Sequence, residues 1–327
     1  MRKTEHLKNK PIKLRFYSQH FNRKPAVDRE VRENVDIFLG RRAGSKQFKY
    51  YRNLRDSVFS LTNNRCAYCG KYADLSIEHY RPKDGIAVNL SASKDISKPG
   101  YFWLASDWYN LHPTCTPCNT LKTREILDVE TLDSASKVVG KGNYFPLFNN
   151  GTHAPLLTAG QSKESLSLST KSVKREKPLI YNPSKISPSD IFSYRFEKVN
   201  HKTFLFIDVK VGISAYESAV ARTTINVLGL NSKDQIKSRI DAYRLTEQAL
   251  DNIEAIYDFS DDDCLEQLAE LHSYISETEN GSYLGMLEYL FWERLKRLAI
   301  TIDAHLGTPT GSYEGLQDVA NCIDRLL

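Results

Sequence analysis

Four cysteines fall into two C-x-x-C pairs, Cys66 and Cys69 in CAYCG and Cys115 and Cys118 in CTPCN. Two thiolates at that spacing reach one metal ion, and two such pairs complete the tetrahedral sulfur set of a closed zinc site. Sulfur in all four positions leaves no place for substrate, so this zinc would be structural and not the catalyst. The linker between the pairs is longer than in a short zinc ribbon, and it carries chemistry of its own. It holds the acid–imidazole pair Glu78-His79 and then Asn110, while Asn119 follows the last cysteine directly. Glu78 offers a carboxylate and Asn119 an amide oxygen, hard donors that suit Mg2+ or Mn2+. A neutral His79 beside a metal-bound phosphate can take a proton from water and so make the nucleophile. Asn110 brings no charge; its expected task is to hydrogen-bond the backbone that carries His79. These residue types in this order predict a zinc-stapled, metal-dependent nuclease core from Cys66 to Lys122.

The elements that must position these groups can be read in part. Leu75 to Tyr80 alternates as a short strand ended by Pro82. Successive strand side chains point to opposite faces, so Glu78 and His79 share one site only where the backbone curves. Thr116-Pro117 reads as an N-cap and first-turn proline, which predicts a helix from Pro117 to about Leu127 with Cys118, Asn119 and Lys122 within one turn. The aromatic residues Tyr101, Phe102, Trp103 and Trp108 are expected beneath the site. Upstream, Val27, Val31, Val35 and Phe38 have helical spacing, and a second helix is predicted from Lys46 to Leu61. Downstream, residues 84–100 read as an inserted loop and 128–185 as irregular, with a Ser-rich flexible stretch from Gly160 to Lys174. A strand from Thr203 to Val211 then precedes helices over Ser214 to Leu228, Ser232 to about Tyr257, Asp261 to Ser276 and Tyr283 to Leu306.

Charge divides the chain. Residues 1–150 carry 26 Lys/Arg against 15 Asp/Glu, whereas the segment from residue 230 carries 8 against 19. Lys8, Lys10, Lys13 and Arg15 lie in a basic arm over residues 1–24; Arg41, Arg42, Lys46, Lys49, Arg52 and Arg55 line the outer face of the second helix. This polarity predicts a polyanion at the N-terminal part and a different contact, such as a docked partner, at the acidic end. No apolar run approaches the roughly 18 residues of a membrane span. The first residues lack the apolar core of a signal peptide, so a cytoplasmic, reducing setting is expected, with Cys264 and Cys322 as buried thiols. There is no G-x-x-x-x-G-K-[ST] loop, so control by ATP would need a partner.

The order C-x-x-C, E-H, N, C-x-x-C-N-x-x-K resembles the zinc-stapled HNH (ββα-metal) endonucleases. The resemblance implies His79 as general base, Asn110 as the middle position and Asn119, where many members have His, as the third, metal-binding position. It also implies phosphate contact by Lys122, and Arg81 and Lys83 of IEHYRPK are expected to share it. IEHYRPK, YFWLASDWYNL, EKPLIYNP (Glu176 to Pro183) and INVLGLN (Ile225 to Asn231) together look like the PtuB-type HNH nucleases of Septu and retron antiphage systems. That implies a nuclease of phage DNA working with a PtuA-type ATPase of the ABC/SMC-like class. The His112-Pro113 pair departs from the apolar residues expected there.

The expected fold is therefore α+β: mainly helical, with a small ββα-metal HNH core stapled by a four-cysteine zinc site and a helical C-terminal region. Its parts are a basic arm and helices over 1–62, the nuclease core over 63–150, a flexible loop and α+β extension over 151–230, and an acidic helical domain over 231–327 for partner docking. Two other functions use the same residues differently. A nuclease of structured RNA such as tRNA needs the same site, because hydrolysis by activated water requires no 2′-hydroxyl. A non-enzymatic zinc-finger DNA-binding adaptor needs only the cysteines and leaves Glu78, His79, Asn110 and Asn119 without a task.

Overall fold

The computed structural model describes residues 26–87, 89–90, 95–98, 100–151, 153, 173 and 175–256, with single positions between 267 and 294. The expected arm over 1–24, Cys264, Cys322 and most of the Gly160 to Lys174 stretch lie outside these residues. So do most positions of the two last expected helices.

Helix α1 spans Ala26–Phe38, as the valine spacing predicts. The second expected helix is broken. A 3-10 turn over Tyr50–Leu54 leads into α2, Arg55–Phe59, and a second 3-10 turn over Ser60–Thr62 ends at left-handed Asn63. The reason lies in α1: the Glu30 carboxylate accepts the amides of Lys49 (2.6 Å) and Tyr50 (3.4 Å), so the chain turns helical at Tyr50 and not at Lys46. Strand β1, Leu75–His79, follows the first cysteine pair. The expected loop over 84–100 contains a small hairpin of β2, Ile86–Ala87, and β3, Ile96–Ser97. Strand β4, Leu111–Cys115, runs antiparallel to β1, with Leu75 opposite Cys115 and His79 opposite Leu111.

The expected helix from Pro117 to Leu127 is not present. Helix α3 covers only Thr116–Asn119, and Lys122–Leu127 is strand β5, paired along its length with β6, Ser134–Val139. A longer helix would use the carbonyls of Cys118 and Asn119 for its next turn. Here those carbonyls accept instead from Lys141 N (2.8 Å) and Gly142 N (2.7 Å). The turn that does this needs its glycines. Gly140 has φ +115, and a Cβ there would lie 2.2 Å from the Thr120 carbonyl oxygen.

Helix α4, Pro188–Ile191, leads into the hairpin of β7, Phe192–Val199, and β8, Lys202–Val209. Helix α5, Ala215–Leu228, begins with a capping box in which the Ser214 hydroxyl accepts from Glu217 N, and it ends at left-handed Gly229. Helix α6, Lys233–Ile256, follows. Asn231, between the two helices, exchanges two hydrogen bonds with the backbone of Ile207 (2.9 and 2.8 Å) and so ties β8 to this corner. The main apolar cluster is continuous from the cysteine pairs to these later elements. Cys66, Tyr68, Cys69, Cys115 and Cys118 share it with Tyr181, Phe206, Leu228, Leu230 and Ile236. A second cluster of Leu54, Val58, Leu61, Trp108 and Leu111 fills the space between α2 and the β1–β4 hairpin. The described residues thus form a mixed α and β fold of hairpins packed on helices.

Candidate functional site

The four cysteines come together at the start of β1 and the end of β4. All are buried, and their sulfur atoms lie within 4.8 Å of one another. The sulfurs of Cys69 and Cys115 are 3.8 Å apart. A tetrahedron with Zn–S bonds of about 2.3 Å has edges of about 3.8 Å, so the spacing fits a sulfur-bound ion such as zinc. The local folding supports this. Gly70 N donates to the Cys66 carbonyl and Cys66 N to the Lys71 carbonyl, which folds the first pair into a tight knuckle, and Ala67 N donates to the Pro113 carbonyl of β4.

The β1–β4 hairpin presents two different faces, because neighbouring strand residues alternate and directly opposed residues share a side. Ile77, His79 and Leu111 turn toward α2 and Trp108. The His79 ring is 5 % exposed and meets the edge of Tyr51, with ring centroids 4.6 Å apart at 80°. Its Nε2 lies 2.9 Å from the Ala105 carbonyl oxygen, which can only accept, so Nε2 carries the proton. The lone pair is then on Nδ1, 3.4 Å from the Lys83 ammonium. Burial, with the Lys83 charge second, pushes the His79 pKa down to about 3, and the ring is neutral.

Asn110 is buried just before β4. Its side-chain oxygen accepts from Arg81 N (2.7 Å), and its amide nitrogen donates to the carbonyls of Arg81 and Leu104 (both 3.1 Å). Its own carbonyl accepts from Tyr80 N (2.9 Å). Asn110 therefore grips the two residues that follow His79.

Ser76, Glu78, Thr114 and His112 occupy the other face. Asn119 sits here, its amide nitrogen donating to the Ser76 hydroxyl at 3.1 Å. The Glu78 carboxylate, expected as a metal ligand, forms an ion pair with the Lys141 ammonium, which is fully buried. Burial raises the Glu78 pKa, and the attraction of Lys141 works against that rise. The Lys83 charge acts on Glu78 as well as on His79. The end of β1 thus brings Glu78, His79 and Lys83 within electrostatic reach of one another, although the side chains of Glu78 and His79 leave the strand on opposite sides.

Two of the expected phosphate contacts need correction in placement. The Arg81 guanidinium is not open to a ligand: it forms a 3.0 Å ion pair with Glu176 and lies over the rings of Tyr80, Tyr101 and Phe145. Lys122 is exposed but begins β5 and is not one helical turn beyond Asn119. Lys83 is half-buried, and its ammonium lies over the rings of Phe48 (5.8 Å) and Tyr51 (5.1 Å).

Two residues of the site escape the sequence reading. Lys141 is one; a lone lysine between glycines gives no periodic or motif signal. Glu176 is the other. It opens the phrase EKPLIYNP, and its carboxylate also accepts from the Tyr101 hydroxyl at 2.7 Å, while the Tyr80 hydroxyl donates to the Ile180 carbonyl of the same phrase at 2.8 Å. The phrase is a brace for the strand end that carries His79. Truncating Glu176 to Ala should leave a buried guanidinium unpaired and cost about 3–5 kcal/mol. Urea denaturation of the purified variant measures this, and a loss under about 1 kcal/mol would show the pair to be solvent-screened.

Four buried thiols cluster on a β-hairpin and could hold a metal ion such as zinc, with an imidazole and a carboxylate at the far end of the same strand. Comparison with known sequences adds a relative. The chain is 29% identical over 100 residues to the Septu protein PtuB of Bacillus mycoides (strain KBAB4), a stretch that covers 29% of this chain and 33% of that protein. The matched stretch thus spans about a third of the relative's length, and it supports a distant Septu-type relationship. No protein-family profile matches the chain. Among the described residues, no helix is long and apolar enough to cross a membrane.

Proposed function

We propose that this protein is a metal-dependent endonuclease of the HNH type that cuts phage DNA as the effector of an antiphage defence system. The observation that carries this reading is the state of His79. Its Nε2–H is fixed on a backbone carbonyl, and its unprotonated Nδ1 is turned toward a lysine. That arrangement suits a general base for water: a locked neutral tautomer, a lone pair that faces Lys83 at 3.4 Å and is released when an anion draws the ammonium away, and a nearby site for that anion. Burial is the larger cause of the low His79 pKa, and a phosphate drawn to Lys83 would offset the second, the lysine charge, and so raise the basicity of the ring in part. Exposed Lys49, Arg52 and Arg55 flank Tyr51, which covers the ring, and supply a sequence-independent footing for a nucleic-acid backbone. Asn110 acts as a positioning residue through the backbone of Tyr80 and Arg81. In this reading the four thiolates hold a structural zinc.

The oxygen donors expected to hold a catalytic Mg2+ or Mn2+ lie on the face opposite His79, so an ion there and the imidazole would act on one phosphate only where the end of β1 lets it reach both. The Glu78 carboxylate and the Asn119 amide offer oxygens, which favour hard cations, and His112 adds an imidazole to the same face opposite Glu78. Such an ion supplies charge stabilisation at the phosphate and at the leaving oxygen. The similarity to a Septu protein PtuB supports the defence role, and a PtuA-type ATPase is the partner proposed for it.

The test is a cleavage assay with supercoiled plasmid and Mg2+, using the purified chain alone and with a co-expressed PtuA-type ATPase. Nicking that disappears with EDTA is expected. Absence of cleavage under both conditions would refute the reading, and cleavage confined to a structured RNA would change the substrate.

A further inference from the structure

The Gly140-Lys141-Gly142 turn carries an ammonium group into the hairpin face assigned above to the catalytic cation. Lys141 Nζ donates to the Glu78 carboxylate, to the His79 carbonyl (3.0 Å) and, more weakly, to the Gly142 carbonyl (3.5 Å). One carboxylate and two carbonyl oxygens around a positive centre are the kind of donors a divalent cation of the Mg2+ class takes. The backbone delivers the lysine there. The amides of Lys141 and Gly142 are bonded to the carbonyls of Cys118 and Asn119, and Gly140 N to the Val227 carbonyl (2.7 Å). The turn is thereby anchored to the second cysteine pair and to the proposed metal-binding asparagine. Its two glycines have φ +115 and +48, and at Gly140 a side chain would collide with backbone.

A lysine that only filled space would not need a carboxylate, and a carboxylate that only bound metal would be unpaired when the metal is away. A buried carboxylate without a counter-charge is strongly disfavoured. We propose that Lys141 is the resident counter-ion of this site: its ammonium holds Glu78 while no divalent cation is bound, and the cation gains Glu78 by displacing Lys141. Lys141 then sets the threshold of divalent concentration at which the site loads. Among the described residues, no other side chain of this hairpin face carries a positive charge to Glu78 at bonding distance. The inference rests on the assignment of Glu78 to a metal site in the proposed function.

Two measurements test it, neither of them activity. The first is Mn2+ binding to the zinc-loaded protein by titration calorimetry or EPR. Lys141→Met should bind Mn2+ at least tenfold more tightly than the wild-type chain, Lys141→Arg should not, and Glu78→Gln should remove the gain. Equal affinity of the wild-type and Lys141→Met proteins would overturn the displacement while leaving the metal site standing. Absence of Mn2+ binding in every form would overturn the metal reading itself, and the inference with it. The second uses the wild-type chain alone, so it holds even if Lys141→Met does not fold. Reductive methylation read by peptide mass spectrometry should label Lys141 several-fold faster in saturating Mn2+ than without it. An unchanged rate would mean that the ammonium stays where it is, and the proposal would be wrong.

Discussion

Replacing Cys118 by Ser, or stripping the wild-type protein with a strong zinc chelator, should abolish the folded state and not merely soften it. The four sulfur atoms lie within one ion's reach and inside the main apolar cluster. Every wall of the site depends on them. The first pair leads into β1, the second joins β4 to α3, and the carbonyl of Cys118 itself receives the amide of Lys141. Apparent binding free energies for four-ligand zinc sites are about 10–16 kcal/mol at neutral pH. The whole stability of a folded domain is about 5–15 kcal/mol. Loss of the ion therefore removes a quantity as large as all the stability present. Zinc content by mass spectrometry of the purified protein should be near one ion per chain. Cys118→Ser should lose that zinc and appear in the insoluble fraction, and far-UV circular dichroism of the chelated wild-type protein should show loss of structure. A Cys118→Ser protein that kept its melting temperature would show that packing alone holds the hairpin, and the thiol cluster would lose its structural role.

The sequence reveals the convergence of the four cysteines more clearly than the frame around them, for identifiable reasons. C-x-x-C is a local geometric device, so two copies of it mark where the chain must converge whatever lies between. The alternation of Leu75 to Tyr80, the capping box at Ser214 and the stop at Gly229 are local signals too, and β1, α5 and α6 follow them. The failures come from partners distant in sequence. Thr116-Pro117 does start a helix, but nothing near it discloses that Lys141 and Gly142 will occupy the carbonyls needed to continue it. Once β5 is extended, Thr123 and Ile126 find their partners in Val138 and Ala135, and a segment read as irregular becomes a strand. The basic residue after His79 misleads in the same way. Arg81 looks like a phosphate ligand in a row with Lys83, but Glu176, far along the chain, takes its guanidinium, while Lys83 lies half-buried over Phe48 and Tyr51. His112 departs from the apolar expectation because it stands opposite Glu78, on the polar side of the hairpin.

His79→Ala should leave zinc content and fold intact while lowering Mg2+-dependent cleavage by about 10²–10⁴-fold, the span that a positioned general base contributes. The separation of activity from stability follows from the contacts of the ring. The imidazole makes one hydrogen bond to the Ala105 carbonyl, a longer one of 3.4 Å to Lys83 and one edge contact, to Tyr51. Losing the first bond leaves one buried carbonyl unsatisfied, which costs about 1–3 kcal/mol, less than the roughly 5–15 kcal/mol that holds a folded domain. Asn110→Ala provides the contrast. It removes bonds to Arg81 and Leu104 together, so cleavage and melting temperature should fall in step. Lys83→Gln discriminates further. It leaves the base in place but removes the cation beside Nδ1, so it should weaken substrate binding more than it slows turnover at saturation. A single-turnover assay with labelled duplex DNA separates the two. If His79→Ala cut DNA at the wild-type rate, the imidazole would be a core residue that happens to be neutral. The base would then have to be another group, whereas a wild-type chain that cut nothing would leave the adaptor, in which the thiol knuckle and the cations of residues 49–55 bind nucleic acid without breaking it.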